Sequence, residues 1–406
     1  MSSEGYYPCT WDQNESLTWQ FNGNIGHGSV TRTWTVEPAL DPARVRRAWL
    51  HVLAKHPALT VEYSLGEDGF WRQRPRAAAA CDSFVIDAPN CDNTTRSLIE
   101  RNTEPLYKRP VSLIIDTRSD RTILHLFLDH IPIDGYSMQS IIGDFGRYLS
   151  GAAYEGDRDL RFFEFCSTYG ATPGNCGPLP LTESTIKPYE SVPRSTGPLQ
   201  PYSQDCTAAV RRYKVPLAEL SVPARRSIAG IAPAIGAAAL ARAAGGGVEE
   251  VYTLVTVPGR RNDTLTAVGR FLGYVMIALP ADEPDLLVTA RRIYGRILTA
   301  AKPRTPLPMS RVAAALAPHR SASKYKQPRQ MLPYMAIDHS RPEPELVVPG
   351  HRTHLDAGGP EIYLGAAAVY SGVDDENFSI TVGIRTDHVS TSVFDTFEKL
   401  IDEFRV

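Results

Sequence analysis

The sequence of 406 residues lacks long apolar runs, closely paired cysteines and any excess of charge of one sign. Its most apolar stretch, residues 228–241, contains Gly and Pro and is shorter than the roughly 20 residues that cross a bilayer, so we predict a buried, kinked helix and no membrane span. The formal net charge is only -2, which gives no reason to expect a nucleic-acid partner. The first residues have neither the basic nor the apolar region of a signal peptide, so we expect a cytoplasmic location.

Several catalytic motifs are also missing. The six cysteines are scattered without a C-x-x-C pair or a close histidine, so free thiols are expected and no metal site is predicted. The sequence has no G-x-S-x-G, no G-x-x-x-x-G-K-[ST], no G-x-G-x-x-G after a strand and no H-E-x-x-H. Most hydrolase, kinase and dehydrogenase interpretations therefore lose their support. His351 and His354 follow Pro and Gly and are predicted to occupy a surface loop.

The length of the chain exceeds what one hydrophobic core usually reaches, so two halves are expected. Residues 166–204 are rich in Pro, Gly, Ser and Thr, which is typical of a linker. We therefore divide the chain into a first half over 1–165, a linker over 166–204 and a second half over 205–406. Both halves mix helix and strand signals, which predicts an α/β protein with mixed sheets.

The first half contains the clearest local signals. Asp41 and Pro42 are suited to the start of a helix, and the apolar residues that follow share one face. Residues 59–63 and 69–74 predict a hairpin. Residues 122–130 alternate as in a strand, and residues 135–149 have helical spacing. The segment H-I-P-I-D-G thus links a strand to a helix.

His130 is the strongest candidate for chemistry. It ends the strand, while Asp134 and Gly135 open the next helix, so the imidazole and the helix N-terminus come to one place. An imidazole with a reference pKa of about 6.5 is suited to accept a proton near neutral pH. Gly135 allows the backbone to approach a ligand closely and directs its N–H into the same crevice. The local pattern alone is more typical of a hydrogen-bonded core histidine beside an ordinary helix cap.

The segment D-H-I-P-I-D-G-Y-S resembles the H-H-x-x-x-D-G signature of the chloramphenicol acetyltransferase-like superfamily. This superfamily includes nonribosomal-peptide condensation domains and stand-alone polyketide-associated acyltransferases. Three more segments resemble family boxes in the same order: residues 40–59 the helix with the RHxxLR box, residues 160–170 the YxDFAxW segment, and residues 251–280 the strand, GR turn and (I/V)GxFxNT box. The resemblance covers most of the chain, from about residue 7 to residue 404.

The chain departs from the family pattern at three places. Asp129 stands where the first histidine of the signature is found, and Thr60 replaces the arginine that closes the RHxxLR box. Gly273 and Tyr274 replace the NT of the later box. These differences favour a divergent stand-alone acyltransferase with an H-x-x-x-D-G motif over an amide-forming condensation domain.

The resemblance implies two acetyltransferase-like halves in a V-shaped pseudo-dimer with a central tunnel. His130 would be the general base, and Asp134 would be structural and pair with Arg260 of the GR turn. We expect the Gly135 N–H and the helix N-terminus to hold the oxyanion. The expected tunnel wall includes Gly269, Phe271, Gly273 and Tyr274.

The implied activity is an acyltransferase that forms an ester or an amide. It would move an acyl group from a thioester donor to a hydroxyl or amine of a small-molecule acceptor in the biosynthesis of a polyketide, peptide or lipid. The donor would be acyl-coenzyme A or the phosphopantetheine arm of an acyl carrier protein, with no permanently bound cofactor, no metal and no acyl-enzyme. A monomer is expected. Two alternatives stay open: a non-catalytic docking module for a carrier protein or another enzyme, and a cyclase that acts on a bound polyketide.

Overall fold

The computed structural model describes residues 5–21, 29–91, 111–172, 208–220, 234–235, 237–238, 242, 250–280, 285–300, 335–339, 345–358, 367–373, 376–385 and 391–402. The strands are β1 (Tyr7–Pro8), β2 (Ser29–Glu37), β3 (Val61–Leu65), β4 (Trp71–Pro75), β5 (Val85–Asp87), β6 (Val111–Thr117), β7 (Thr122–Asp129), β8 (Ala208–Pro216), β9 (Glu250–Pro258), β10 (Leu272–Pro280), β11 (Met335–His339), β12 (Arg352–Gly358), β13 (Ala367–Val373) and β14 (Asn377–Arg385). The longer helices are α1 (Trp11–Phe21), α2 (Pro42–Lys55), α3 (Gly135–Leu149), α4 (Arg161–Tyr169), α5 (Leu286–Ala300) and α6 (Ser392–Asp402).

The chain forms two compact units. The first consists of Met1–Cys176, Arg260–Phe271 and Glu343–Ile362, and the second of Gly177–Gly259, Leu272–Pro342 and Tyr363–Val406. The halves proposed from the sequence divide the chain once, whereas two later segments belong to the first unit. Linker composition marks where a chain crosses a surface, but it does not tell which sheet a later strand joins. Most of the proposed linker, residues 173–204, lies outside the described residues.

The first unit contains two sheets. The five-stranded sheet has the order β12-β2-β7-β6-β5, and the three-stranded sheet has the order β1-β4-β3. Only β5 and β6 pair in parallel among the described strands of this unit. The antiparallel pairing of β3 with β4 confirms the predicted hairpin. In the larger sheet Ser29 lies opposite Asp129, so β2 begins beside the end of β7.

The core of the first unit lies where α2 and α3 pack. The Asp41 side chain accepts a hydrogen bond from the Ala43 N–H, which confirms it as the N-cap of α2. The rings of Trp49 and Phe145 meet edge to face, with centroids 5.2 Å apart. Both side chains are fully buried, as are the inward residues of β6 and β7. The strand and helix on either side of His130 are therefore firmly anchored.

The second unit is built on one six-stranded sheet with the order β10-β9-β11-β13-β14-β8. Strand β11 is parallel to β9 and β13, and the other pairs are antiparallel. Helix α6 packs its apolar face inward, and the Phe397 ring stacks on Tyr213 at 5.0 Å between centroids. Mixed sheets with helices in both units confirm the predicted α/β class. Among the described residues, no helix has both the length and the apolar composition of a membrane span.

The structure corrects the prediction for His354, whereas His351 lies in a bend just before β12, as expected for a loop residue. His354 lies in strand β12, which pairs antiparallel with β2 at an edge of the five-stranded sheet. Pro349 and Gly350 suggested a loop, but they only precede the strand. The His354 side chain is nevertheless 78% exposed. The kinked helix predicted for the apolar stretch 228–241 lies mostly outside the described residues.

Candidate functional site

The turn that carries His130 follows β7 directly. The carboxylate of Asp129 accepts a hydrogen bond of 2.6 Å from the Ile131 N–H, so this side chain fixes the turn. Ile131 and Ile133 are both buried. His130 itself is partly exposed, in contrast to its neighbours on both sides. The residue that replaces the first histidine of the family signature is therefore engaged with the main chain.

The ring of His130 has no hydrogen bond to a described residue, whereas the ring of His56, whose Nδ1 is likewise buried and unpartnered, binds Asp144 through its Nε2. The His130 Nδ1 is buried and has no hydrogen-bond partner among the described residues. In comparison, His125 Nδ1 lies 3.1 Å from Thr33 Oγ1, and His56 Nε2 lies 2.7 Å from the Asp144 carboxylate. A buried polar atom without a partner costs free energy, and it is a common feature of functional sites. The His130 Nδ1 is thus a buried polar atom whose partner is not found among the described residues.

Asp134 caps α3 and binds Arg260, so the structure brings these two predicted residues together. The Arg260 Nη2 and Nε atoms donate to the two carboxylate oxygens over 2.5 and 2.9 Å, and both side chains are almost completely buried. Asp134 also accepts from the Ser137 N–H at 3.0 Å and the Phe271 N–H at 3.2 Å. Because both oxygens are occupied, Asp134 has the contacts of a structural residue and not those of a base.

Residues 260–271 fold around the Arg260 guanidinium. Its Nη1 donates to the Ala267 carbonyl at 2.8 Å, and its Nη2 donates to the Gly269 carbonyl at 3.1 Å. The guanidinium also lies over the Phe271 ring, 4.4 Å from the centroid. Arginine suits this position because it carries five N–H donors in a fixed plane.

The four residues expected to line a tunnel fall into two groups. Gly269 and Phe271 are buried in the first unit, where Phe271 packs edge to face on Phe162 at 5.1 Å between centroids. A Cβ on Gly269 would overlap the Phe162 ring. These two residues therefore have the contacts of core residues, and their expected place in a wall stays a prediction. Gly273 and Tyr274 lie in β10 of the second unit, and their part in a wall stays a prediction.

Gly135 is the first residue of α3 and is exposed. The Asp134 carboxylate next to it accepts from the Ser137 N–H, and the Ser137 hydroxyl lies 3.4 Å from the Asp134 N–H, which completes a capping box. This cap fixes the direction in which the helix starts. Gly135 therefore follows a fixed cap and adds no side chain of its own at the exposed start of α3.

The buried thiols and a tyrosine near this turn are held in their protonated forms. Burial, and then the nearby Cys166, raise the pKa of the Cys9 thiol well above its ordinary value, and burial also raises the pKa of Cys166. Burial raises the pKa of the Tyr63 hydroxyl as well. The four described cysteines are free, as predicted, while Cys176 and Cys206 lie outside the described residues. The thiols at this site are thus poor nucleophiles.

The sequence did not predict the two residues whose side chains donate hydrogen bonds to the main chain of the His130 turn. Arg270 donates to the His130 carbonyl, and Gln13 donates to the next carbonyl along the chain. A signal for Gln13 was present, because T-x-x-Q at residues 10–13 is a capping-box pattern that predicts the start of α1. Nothing local marks Arg270 as the partner of a turn 140 residues away.

The comparisons with known proteins give the fold. No family model matches the sequence, and no curated protein matches it. The X-domain from teicoplanin biosynthesis is similar in structure with a TM-score of 0.69 at 14% identity, over 99% of this chain and 94% of that one. The first condensation domain of the calcium-dependent antibiotic synthetase, in complex with a substrate analogue, gives 0.67 at 15% identity, over 99% and 96%. The epimerization domain from the third module of tyrocidine synthetase B gives 0.61 at 13% identity, over 98% and 95%. The chain therefore has the condensation-domain fold along nearly its whole length.

Proposed function

We propose that the protein is an acyltransferase that moves an acyl group from a thioester to a hydroxyl or amine of a small molecule. The observation that carries this proposal is the His130 imidazole, which has an unpartnered buried nitrogen on a turn whose main chain is fixed. The condensation-domain fold supports the proposal, because a solved member holds a substrate analogue and another is an epimerization domain.

In the proposed reaction His130 takes the proton of the acceptor hydroxyl or amine. The acceptor atom attacks the thioester carbonyl, the new bond to carbon forms, and the developing oxyanion accepts a hydrogen bond from the Gly135 N–H. The carbon–sulfur bond then breaks, and the proton held by His130 goes to the departing thiolate. Atoms and charges balance without an acyl-enzyme, and the raised thiol pKa values of Cys9 and Cys166 agree with transfer in one covalent step.

The donor in this proposal is a thioester of coenzyme A or of the phosphopantetheine arm of a carrier protein. Both donors present the same reacting group on the same flexible arm. They differ in what the arm is attached to, which is a nucleotide in one case and a protein in the other. Direct comparison of the two donors therefore identifies the partner.

A docking module is the second candidate function. It is favoured by the X-domain of teicoplanin biosynthesis, which has the same fold and is found in complex with OxyB, with a TM-score of 0.64 at 15% identity to this chain. In that case this chain would bind a carrier protein or another enzyme, and His130 would make no difference to the binding.

The test is to incubate the full chain with acyl-coenzyme A or an acyl carrier protein and candidate acceptors, and to follow the products by mass. We expect His130→Ala to lower turnover by about 10²–10⁴-fold with the fold intact, since that is the usual contribution of a general base. His354→Ala is the matched control, because this histidine is exposed on an edge strand, and its turnover should equal that of the wild type. Full turnover in a folded His130→Ala protein would contradict the proposal. Binding of a carrier protein without transfer from any donor would favour the docking module.

A further inference from the structure

We infer that the first turn of α1, together with Arg270, is the device that positions His130. The inference rests on the proposed function, since it assigns positioning residues to the proposed base. Three side chains carry it: Asp12 and Gln13 of α1, and Arg270 of the segment that joins the first unit from later in the chain. We call these three residues the turn clamp.

Arg270 connects α1 to the histidine itself. Its Nη1 donates to the His130 carbonyl over 2.8 Å. Its Nε forms an ion pair with the Asp12 carboxylate, and both side chains are less than 10% exposed. A buried charge is costly unless a partner compensates it, so the Asp12 carboxylate keeps the guanidinium in place. The guanidinium in turn fixes the carbonyl of the proposed base.

Gln13 holds the next peptide group. Its Nε2 donates to the Ile131 carbonyl over 3.1 Å, and the side chain is completely buried. Its Oε1 accepts from the Thr10 N–H at 2.9 Å and from Gln73 Nε2 at 3.2 Å. The amide of Gln13 is therefore held on both sides, and it cannot rotate without the loss of several buried hydrogen bonds.

Together with Asp129, the turn clamp occupies the main-chain groups around His130. Asp129 takes the Ile131 N–H, Arg270 takes the His130 carbonyl, and Gln13 takes the Ile131 carbonyl. The ring Nδ1, in contrast, has no partner among the described residues. The main chain is thus fixed by buried contacts, while no hydrogen bond joins the imidazole to a described residue. Such an arrangement serves catalysis, because a displacement of about 1 Å at a reacting group can lower a rate about 100-fold.

A purely structural clamp would stabilise the fold without any effect on the imidazole. The two roles are separated by a measurement on the His130 ring. In ¹⁵N-histidine-labelled protein, the His130 ring signals are identified by their absence from the His130→Ala spectrum. Their positions over a pH titration report the ring's surroundings whether or not the protein has transfer activity.

The experiment compares Gln13→Leu and Arg270→Lys with Arg44→Leu in the full chain. Gln13→Leu removes the donor to the Ile131 carbonyl, and Arg270→Lys keeps the charge but loses the planar geometry. Arg44 is the matched control, because it also donates to a main-chain carbonyl, at 2.7 Å, but that carbonyl is Leu149 at the end of α3.

We expect Gln13→Leu and Arg270→Lys to shift the His130 ring signals and to lower kcat about 10- to 100-fold, with little change in KM. Arg44→Leu should leave the ring signals and kcat as in the wild type. Folded clamp variants with unchanged His130 signals would overturn the inference. Shifted ring signals in a protein that transfers no acyl group would keep the positioning role and reject the proposed function instead. If Arg270→Lys does not fold, Gln13→Leu decides the question alone.

Discussion

Two aspartates of α3, one at its N-cap and one within the helix, differ in burial and in the cations that bind them. Asp134 at the N-terminal end is completely buried and bound by two nitrogens of Arg260. Asp144, further along the helix, is 13% exposed and shares its oxygens between Lys55 and His56. The first carboxylate is paired with a buried arginine, whereas the second is shared between a buried histidine and a lysine that is partly exposed.

The histidines near these carboxylates differ in the same way. His56 uses its Nε2 for the Asp144 carboxylate at 2.7 Å, which fits a structural role at the end of α2. His130 lies four residues before Asp134 in the sequence, yet the Asp134 carboxylate is occupied by Arg260 and by main-chain N–H groups. The comparison teaches that the carboxylate in the H-x-x-x-D-G motif organises the loop around the site, while the imidazole is left without a carboxylate partner among the described residues.

The largest expected difference between the two carboxylates is in stability. Asp134→Ala should lower the free energy of unfolding by about 3–5 kcal/mol, because it leaves the Arg260 charge buried and unpaired. The double variant Asp134→Ala/Arg260→Met should recover part of the loss. Urea unfolding of the three proteins measures both effects.

Asp144→Ala is the control on the same helix. Its partner Lys55 keeps access to water, and its buried partner His56 carries no permanent charge as Arg260 does, so its loss should be below that of Asp134→Ala. Equal losses for the two single variants would mean that burial of the Asp134 pair has no energetic consequence, and the comparison would fail.

A smaller loss of stability is expected for a substitution at Gly269, which among the described residues contacts those around Asp134 and none around Asp144. Its carbonyl accepts from Arg260 and from the Ser137 hydroxyl, and its Cα packs against Phe162. Gly269→Ala should cost about 1–3 kcal/mol of unfolding free energy, because the added methyl group has no space. Gly143→Ala on α3 is the control, since no atom lies within contact distance of a Cβ there. Gly269→Ala should melt at a lower temperature than Gly143→Ala. Equal melting temperatures would contradict the predicted overlap with Phe162.

The smallest effect is a pH dependence at the Asp144 end. Burial acts to raise the pKa of the Asp144 carboxyl, but hydrogen bonds from His56 and Lys55 outweigh it and hold the pKa below its ordinary value of 3.8. A lowered pKa in the folded state stabilises the protein above the unfolded pKa, and this contribution is lost as the pH falls through the folded value. The stability advantage of wild type over Asp144→Asn should therefore be up to about 1 kcal/mol at neutral pH, and it should decrease as the pH falls below 3.8 toward the lower pKa of the folded state.

Urea unfolding of the wild type and Asp144→Asn across this acidic range tests the sign. The advantage of the wild type should decrease steadily with acid. An advantage that grows as the pH falls would show that the ion pair does not lower the pKa of Asp144.

Local sequence signals were sufficient for the elements that carry the site. The alternation of β7, the helical spacing of α3 and the Asp41 cap of α2 are all found where the sequence predicted them. The reason is that each depends on residues close together in the chain. The pair of Asp134 with Arg260 was expected from the family resemblance, which carries long-range information that a single periodic pattern does not contain.

By itself, then, the sequence determined the order and type of these elements and put His130 at the junction of a strand and a helix. Only the tertiary structure decided that β12 joins the edge of the first sheet, that Gly269 packs against Phe162, and that Arg270 binds the His130 turn. These contacts join residues more than 100 positions apart, and they follow from which buried groups can satisfy one another's charges, hydrogen bonds and volume in the folded chain.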